Sequence, residues 1–204
     1  MSSFREVKNA PNSLNKTGPL PGGHSTLFDA LSAEPALAPT IGKLGALLGG
    51  DVRTLAHDLA VDFGKLFYGV SGPKTVSPYE SAYVSARGIL FQEPVGEMNT
   101  VIAGLGLSVE DTFTEPSDHL AVELAVMSEM ARRQDAAGAS GEFAAAAELA
   151  AAQRRLLDDH LLVWLPEFRD GCAAQAPDSL YTVAAKSLLG YARQDRDWLE
   201  ESTG

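Results

Sequence analysis

The sequence predicts an all-α fold, and three observations carry that expectation. Apolar residues recur at three- and four-residue spacing through most of the chain, no run alternates convincingly with period two, and no internal repeat is visible. A length of 204 residues makes one large domain or two small subdomains with room for a real core, and an apolar share of 45% is ordinary for a globular protein.

The elements follow in order. Residues 1–25 are rich in Asn, Pro, Gly and Ser, lack periodicity and read as a flexible arm. Asp51 is a good N-cap for a helix carrying Val52, Leu55, Leu59, Phe63 and Leu66 on one face and ending near Gly69. From Tyr68 to Pro94 the chain is too broken by Pro and Gly for a long helix, and a short helix is expected over Val95 to Leu105. A helix from Pro116 to about Arg133 follows, with Pro116 at the first helical position and Leu120, Leu124 and Met127 as its buried stripe. After a Gly/Ala/Ser break, an alanine-rich helix is expected from Glu142 to Leu165, closed by Pro166. The last helix begins after Pro177 with Asp178 as cap, and places Leu180, Ala184, Leu188 and Tyr191 on one side.

The net charge of −11 is unevenly placed. Residues 1–26 carry Arg5, Lys8 and Lys16 against Glu6, a local +2, which leaves −13 on the rest. A body this acidic repels nucleic acid and anionic lipid and attracts basic partners, although acidity also serves plain solubility. The single cysteine, Cys172, excludes an internal disulfide framework and agrees with a reducing cytoplasm; it reads as an inert small residue. No apolar run approaches the length of a membrane span, and no secretory signal is visible.

The stretch Glu115-Pro116-Ser117-Asp118-His119-Leu120-Ala121-Val122-Glu123 packs three carboxylates and a histidine into one loop-to-helix junction. Glu115, His119 and Glu123 follow at i, i+4 spacing, so a continuous helix would align them on one face. Three readings stay open on spacing alone. The plain one is structural: Asp118 caps its own helix, and His119 bonds a carboxylate across a helix junction. The enzymatic one is a metal site built from Asp118, His119 and Glu123 with Asp159 and His160. Against it, Asp118 and His119 project about 100° apart on a helix, and the Glu-x-x-His pairs of di-iron bundles are absent. The third is a recognition surface. No phosphate loop, His-Glu-x-x-His or Gly-x-Ser-x-Gly occurs.

Four segments in order resemble one family. Glu115-Pro116-x-Asp118-His119-x-x-x-Glu123 resembles the signature of the TorD/DmsD family of redox enzyme maturation chaperones. Asp62-Phe63-Gly64-Lys65-Leu66-Phe67-Tyr68-Gly69 resembles its early helix with an aromatic-Gly turn. Pro78-Tyr79-Glu80-Ser81-Ala82-Tyr83, followed by Gly88-Ile89-Leu90-Phe91, resembles its Pro-Tyr-Glu-Ser-Val-Tyr segment, with Ala82 in place of valine. His160-Leu161-Leu162-Val163-Trp164-Leu165-Pro166-Glu167-Phe168 resembles its later His…Trp-x-Pro-x-Phe stretch. The likeness covers about residues 51–195.

The resemblance implies a cytoplasmic, all-α chaperone rather than an enzyme. It implies two helical subdomains joined by a hinge, here 26–114 and 115–204 after the 1–25 arm, with the hinge motif opening the second. Such a chaperone binds the twin-arginine leader and apo catalytic subunit of a molybdopterin oxidoreductase and delays export until the cofactor is inserted. The leader-binding residues carried over are Asp118 and His119, with Glu115 and Glu123 at the acidic rim and Pro78, Tyr79 and Tyr83 beside the leader's apolar part. Glu80 adds charge, and Trp164 and Phe168 read as structural. No cofactor is implied beyond the weak guanine nucleotide binding of some members, and the chain would be a monomer or a domain-swapped dimer. The client oxidoreductase is not legible.

Overall fold

The computed structural model describes residues 4–6, 32–48, 51–68, 75–85, 93–109 and 114–203. The rest of the 1–25 arm, Gly69, and the Gly88-Ile89-Leu90-Phe91 segment lie outside them. The described chain is all-α: α1 Ala38–Leu48, α2 Val52–Phe67, a single turn α3 Ser81–Val84, α4 Glu93–Gly104, α5 Leu120–Ala139, α6 Phe143–Leu156, a π-helical turn Leu157–Leu161, α7 Leu162–Gln175 and α8 Leu180–Thr203. The one addition is a small antiparallel ladder. Strand β1, Phe4–Glu6, pairs with β2, Leu107–Val109, so the expected arm contains a strand. Pairing of that kind leaves no local mark in the sequence, because β2 is set by a turn at Gly106 (φ 66) and by Leu107 entering the core.

Two compact units are assembled from separated stretches of chain. One contains Ser77–Glu167 and Ala192–Gly204 with β1; the other contains Asn9–Val76 together with Phe168–Tyr191. In the first, Met98, Ile102, Leu107, Val122, Val126, Met130 and Leu156 form one buried cluster. Each of these side chains contributes roughly 1.5–3 kcal/mol by leaving water. In the second, Phe67 stacks on Phe168 and meets Tyr181 edge-on, while Leu66, Val76, Cys172, Ala185 and Leu189 are buried. Polar ties hold the same unit. Thr182 donates through Oγ1 to the carbonyls of Cys172 and Ala176, and Thr40 reaches Ser187 at 2.6 Å.

Several boundaries fall where tertiary contacts, not local pattern, place them. The Asp51 cap is as expected: its side chain accepts from the Thr54 N–H at 2.9 Å. Helix α5 begins at Leu120, not Pro116. Pro116 instead closes a turn in which its carbonyl accepts from the His119 N–H at 3.1 Å. The buried stripe of α5 is Val122, Glu123, Val126, Met130 and Ala137, while Leu120, Leu124 and Met127 are only partly covered. The start of this helix is apolar nearly all round, so periodicity alone could not choose its inner face.

The alanine-rich helix is not closed at Pro166. It gives way to the π turn at Leu157, and Pro166 stands inside α7. The cap of α8 is Ser179, whose Oγ accepts from the Tyr181 N–H at 3.3 Å; Asp178 is exposed, and its carbonyl receives the Lys43 ammonium. The buried face of α8 is Thr182, Ala185, Leu189, Ala192 and Leu199, while Leu180, Ala184 and Leu188 of the expected series are half-buried and Tyr191 is exposed.

Candidate functional site: a buried carboxylate nest under an acidic rim

The site lies within the first unit, where the segment after Ser77 pairs with the segment entering α5. Tyr79 and His119 form an isolated antiparallel bridge: the Glu80 N–H donates to the Asp118 carbonyl at 3.0 Å, and the Leu120 N–H to the Pro78 carbonyl at 2.9 Å. Two short stretches far apart in sequence are thereby locked side by side, and Pro78, Tyr79 and Glu80 lie against Asp118 and His119.

The side chains sort into a rim and an interior. At the rim, exposed Glu115 accepts a hydrogen bond from the Tyr79 hydroxyl, and the Tyr79 and His119 rings meet edge-on with centroids 5.0 Å apart. His119 is the N-cap of α5: its Nδ1 accepts from the Ala121 N–H at 3.0 Å. Burial lowers the His119 pKa, while the nearby carboxylates of Glu115 and Asp118 pull the other way. With Nδ1 an acceptor, the neutral ring carries its proton on Nε2. The expected exchange between these residues is reversed. Asp118 caps not its own helix but α3, accepting from the Ser81 N–H at 3.1 Å, and His119 does the capping of α5.

The interior is a nest of acids with almost no solvent contact. Asp118 and Glu123 are 0% exposed and Glu80 2%. The Trp164 indole N–H donates to Glu123 Oε2 at 3.2 Å, and Glu80 Oε2 lies 2.9 Å from His160 Nδ1. Tyr83 stacks on Trp164 and donates to the Ser77 carbonyl at 2.8 Å. Burial, then the charge of Glu80, pushes the Glu123 carboxyl up to about 9, against the pull of the Trp164 N–H; Asp118 adds to the rise. Glu123 is therefore protonated at neutral pH. Burial works against a charged His160, but its bond to Glu80 and the charges of Glu80, Glu97 and Asp159 leave its pKa raised. Two oxygens, Asp118 Oδ1 and Glu123 Oε1, are buried with no partner.

The carboxylate that meets a histidine across a helix junction is thus Glu80, and the histidine is His160. Sequence reasoning left Glu80, His160 and Trp164 at the margin of the site, although all three lie in segments that carried the resemblance. The metal reading finds no matching donor set. Among the described residues no group of three His, Cys, Asp or Glu side chains converges as metal ligands. Asp118, His119 and His160 each spend a ligating atom on the protein itself.

The family model described as nitrate reductase delta subunit matches residues 32–170. The chain belongs to the TorD/DmsD family of redox enzyme maturation chaperones. A chaperone protein TorD of Vibrio cholerae (strain O395) is 30% identical over 178 residues, which span 86% of this chain and 79% of the relative. The TorD of Vibrio cholerae strain M66-2 is 33% identical with the same coverage, and that of a Psychrobacter species is 32% identical over 85% of this chain and 76% of its own. A TorD-family chain is a maturation chaperone and not an enzyme. No described helix is long and apolar enough to cross a membrane.

Proposed function

We propose that this TorD-family chaperone works in the cytoplasm, binds the twin-arginine leader and the apo catalytic subunit of a molybdopterin oxidoreductase, and holds back export until the cofactor is in place. The observation that carries the reading is the pairing of an exposed acid–aromatic rim with buried carboxylates beneath it. A twin-arginine leader presents two guanidinium groups followed by an apolar segment. Guanidinium favours carboxylate partners and aromatic faces, and Glu115, Tyr79 and His119 offer both at one edge. Asp118 supplies a second carboxylate one residue from His119, and Pro78 and Tyr83 extend the apolar side. The −11 charge of the chain favours encounter with a basic peptide.

Calorimetric titration with a synthetic twin-arginine leader peptide tests this. Wild type binds, and Glu115→Gln with His119→Ala weakens binding by about tenfold or more, since a charge-assisted hydrogen bond is worth roughly 1.5–3 kcal/mol. Asp118→Asn, which keeps the size of the side chain, also weakens binding. Unchanged affinity in all of these variants would remove the site assignment.

A further inference from the structure

We propose that the cleft between α4, α5, α6 and the π turn binds a small apolar zwitterion, the chemistry of a free α-amino acid such as leucine or phenylalanine. Arg155 and His160 would hold its carboxylate and Asp159 its ammonium. The cleft shares no residue with the leader rim, and the inference does not depend on leader binding.

The cleft has a volume of about 340 Å³. That is the small end of the range for small-ligand sites, roughly 300–1,000 Å³, and it suits a ligand with one apolar group. Leu105, Met130 and Leu156 make its floor, and Arg155, Asp159 and His160 stand on its polar side. Gly104 also lines it, and a Cβ added there would meet no atom within 4 Å. Glycine weakens a helix relative to alanine. Nothing in the packing forbids a side chain at this position, so the glycine leaves the cleft open without relieving any clash.

Three polar groups at the cleft lack partners among the described residues. His160 is 6% exposed, and its hydrogen bond is made through Nδ1 to Glu80 Oε2. A carboxylate can only accept, so Nδ1 donates, and Nε2 on the other side of the ring is left unbonded. A buried ring nitrogen without a partner is uncommon. Arg155 and Asp159 make no hydrogen bond or ion pair, although their neighbours Arg154 and Asp158 pair with each other at 3.5 Å. One positive and one negative side chain thus stay apart at a shared apolar cleft.

These groups match both signs of charge on one ligand. A carboxylate takes the Arg155 fork and, from a charged His160 ring, the Nε2–H. Burial opposes charge on that ring, but its bond to Glu80 and the charges of Glu80, Glu97 and Asp159 raise its pKa. An ammonium then answers Asp159, and the apolar group covers Leu105, Met130 and Leu156. A simple anion would face Asp159 and a chain of charge −11, and a simple cation would face Arg155.

Amide NMR of the isotope-labelled full chain, titrated with L-leucine and with L-phenylalanine, tests this. Signals of Gly104, Leu105 and Ala152 should shift and saturate, with Kd of about 1 mM or tighter. N-acetyl-L-leucine lacks the ammonium and L-leucine amide lacks the carboxylate. Each should bind about tenfold more weakly or worse, because each leaves one charge of the cleft unanswered. Gly104→Leu, which fills the cleft, and Arg155→Gln should abolish the shifts with an unchanged thermal midpoint. Should Gly104→Leu fail to fold, exposed Arg155→Gln and the capped compounds still decide. The proposal is overturned by no saturable shift up to about 20 mM of either amino acid. It is equally overturned by capped compounds that bind as well as the free ones, or by shifts that persist in folded Gly104→Leu or in Arg155→Gln.

Discussion

At Glu123 a carboxyl with no exposed surface sits between Glu80, Asp118 and the Trp164 indole, and its proton has consequences that can be measured without any partner. A carboxyl whose folded pKa lies above its unfolded value holds a proton that the unfolded chain gives up. Stability from this group therefore falls as pH rises from the ordinary carboxylate range to about 9. Glu123→Gln keeps the shape and still accepts from Trp164, without a titratable proton. It should be more stable than wild type by about 1 kcal/mol or more near pH 8, with the gap closing toward about pH 5, in urea unfolding at the two pH values. His160 runs the same way for a different reason. Its raised pKa gives stability below its unfolded value that is lost as pH rises through the folded one. Trp164→Phe removes the indole donor and part of the stack on Tyr83; it should cost about 1–3 kcal/mol and leave a second Glu123 oxygen unpaired.

The elements show where local pattern is enough and where it is not. The Asp51 cap of α2 was legible because capping is a contact between residues three apart, and the sequence shows both. At α8 the same rule picked Asp178, yet Ser179 caps the helix, because the helix starts one turn residue later. Ser179→Ala should therefore cost about 0.5–2 kcal/mol in thermal or urea unfolding, while Asp178→Ala stays within about 0.5 kcal/mol. The π turn at Leu157–Leu161 was not legible at all. A wider turn leaves no fixed residue signature, so an uninterrupted helix up to Pro166 was the reading that periodicity supported. That turn carries His160, and with it the inner end of the site.

For the whole molecule, charge is the property most directly read from sequence. Leader binding should weaken several-fold between about 50 and 500 mM salt, because exposed Glu115 and the long-range field of an acidic chain are screened while the buried nest is not; titrations across that range check it. Cys172 is buried and its thiol is pushed up to about 11 by burial, so thiol reagents should react with it in the unfolded chain and hardly at all in the folded one.

By itself the sequence determined the all-α class, the acidic character, most helix bodies and the family, since periodicity, composition and ordered motifs are properties of the chain read locally. The family resemblance, not spacing, set Glu115, Asp118, His119 and Glu123 beside Pro78, Tyr79 and Tyr83 as the candidate locus. Only the tertiary structure decided which of these acids face water. The bridge between Tyr79 and His119 turns Asp118 inward to cap a helix 37 residues away in sequence and brings Glu80 to His160 across 80 residues. Burial depends on what packs against a residue from elsewhere in the chain, and no spacing within a nine-residue motif contains that information.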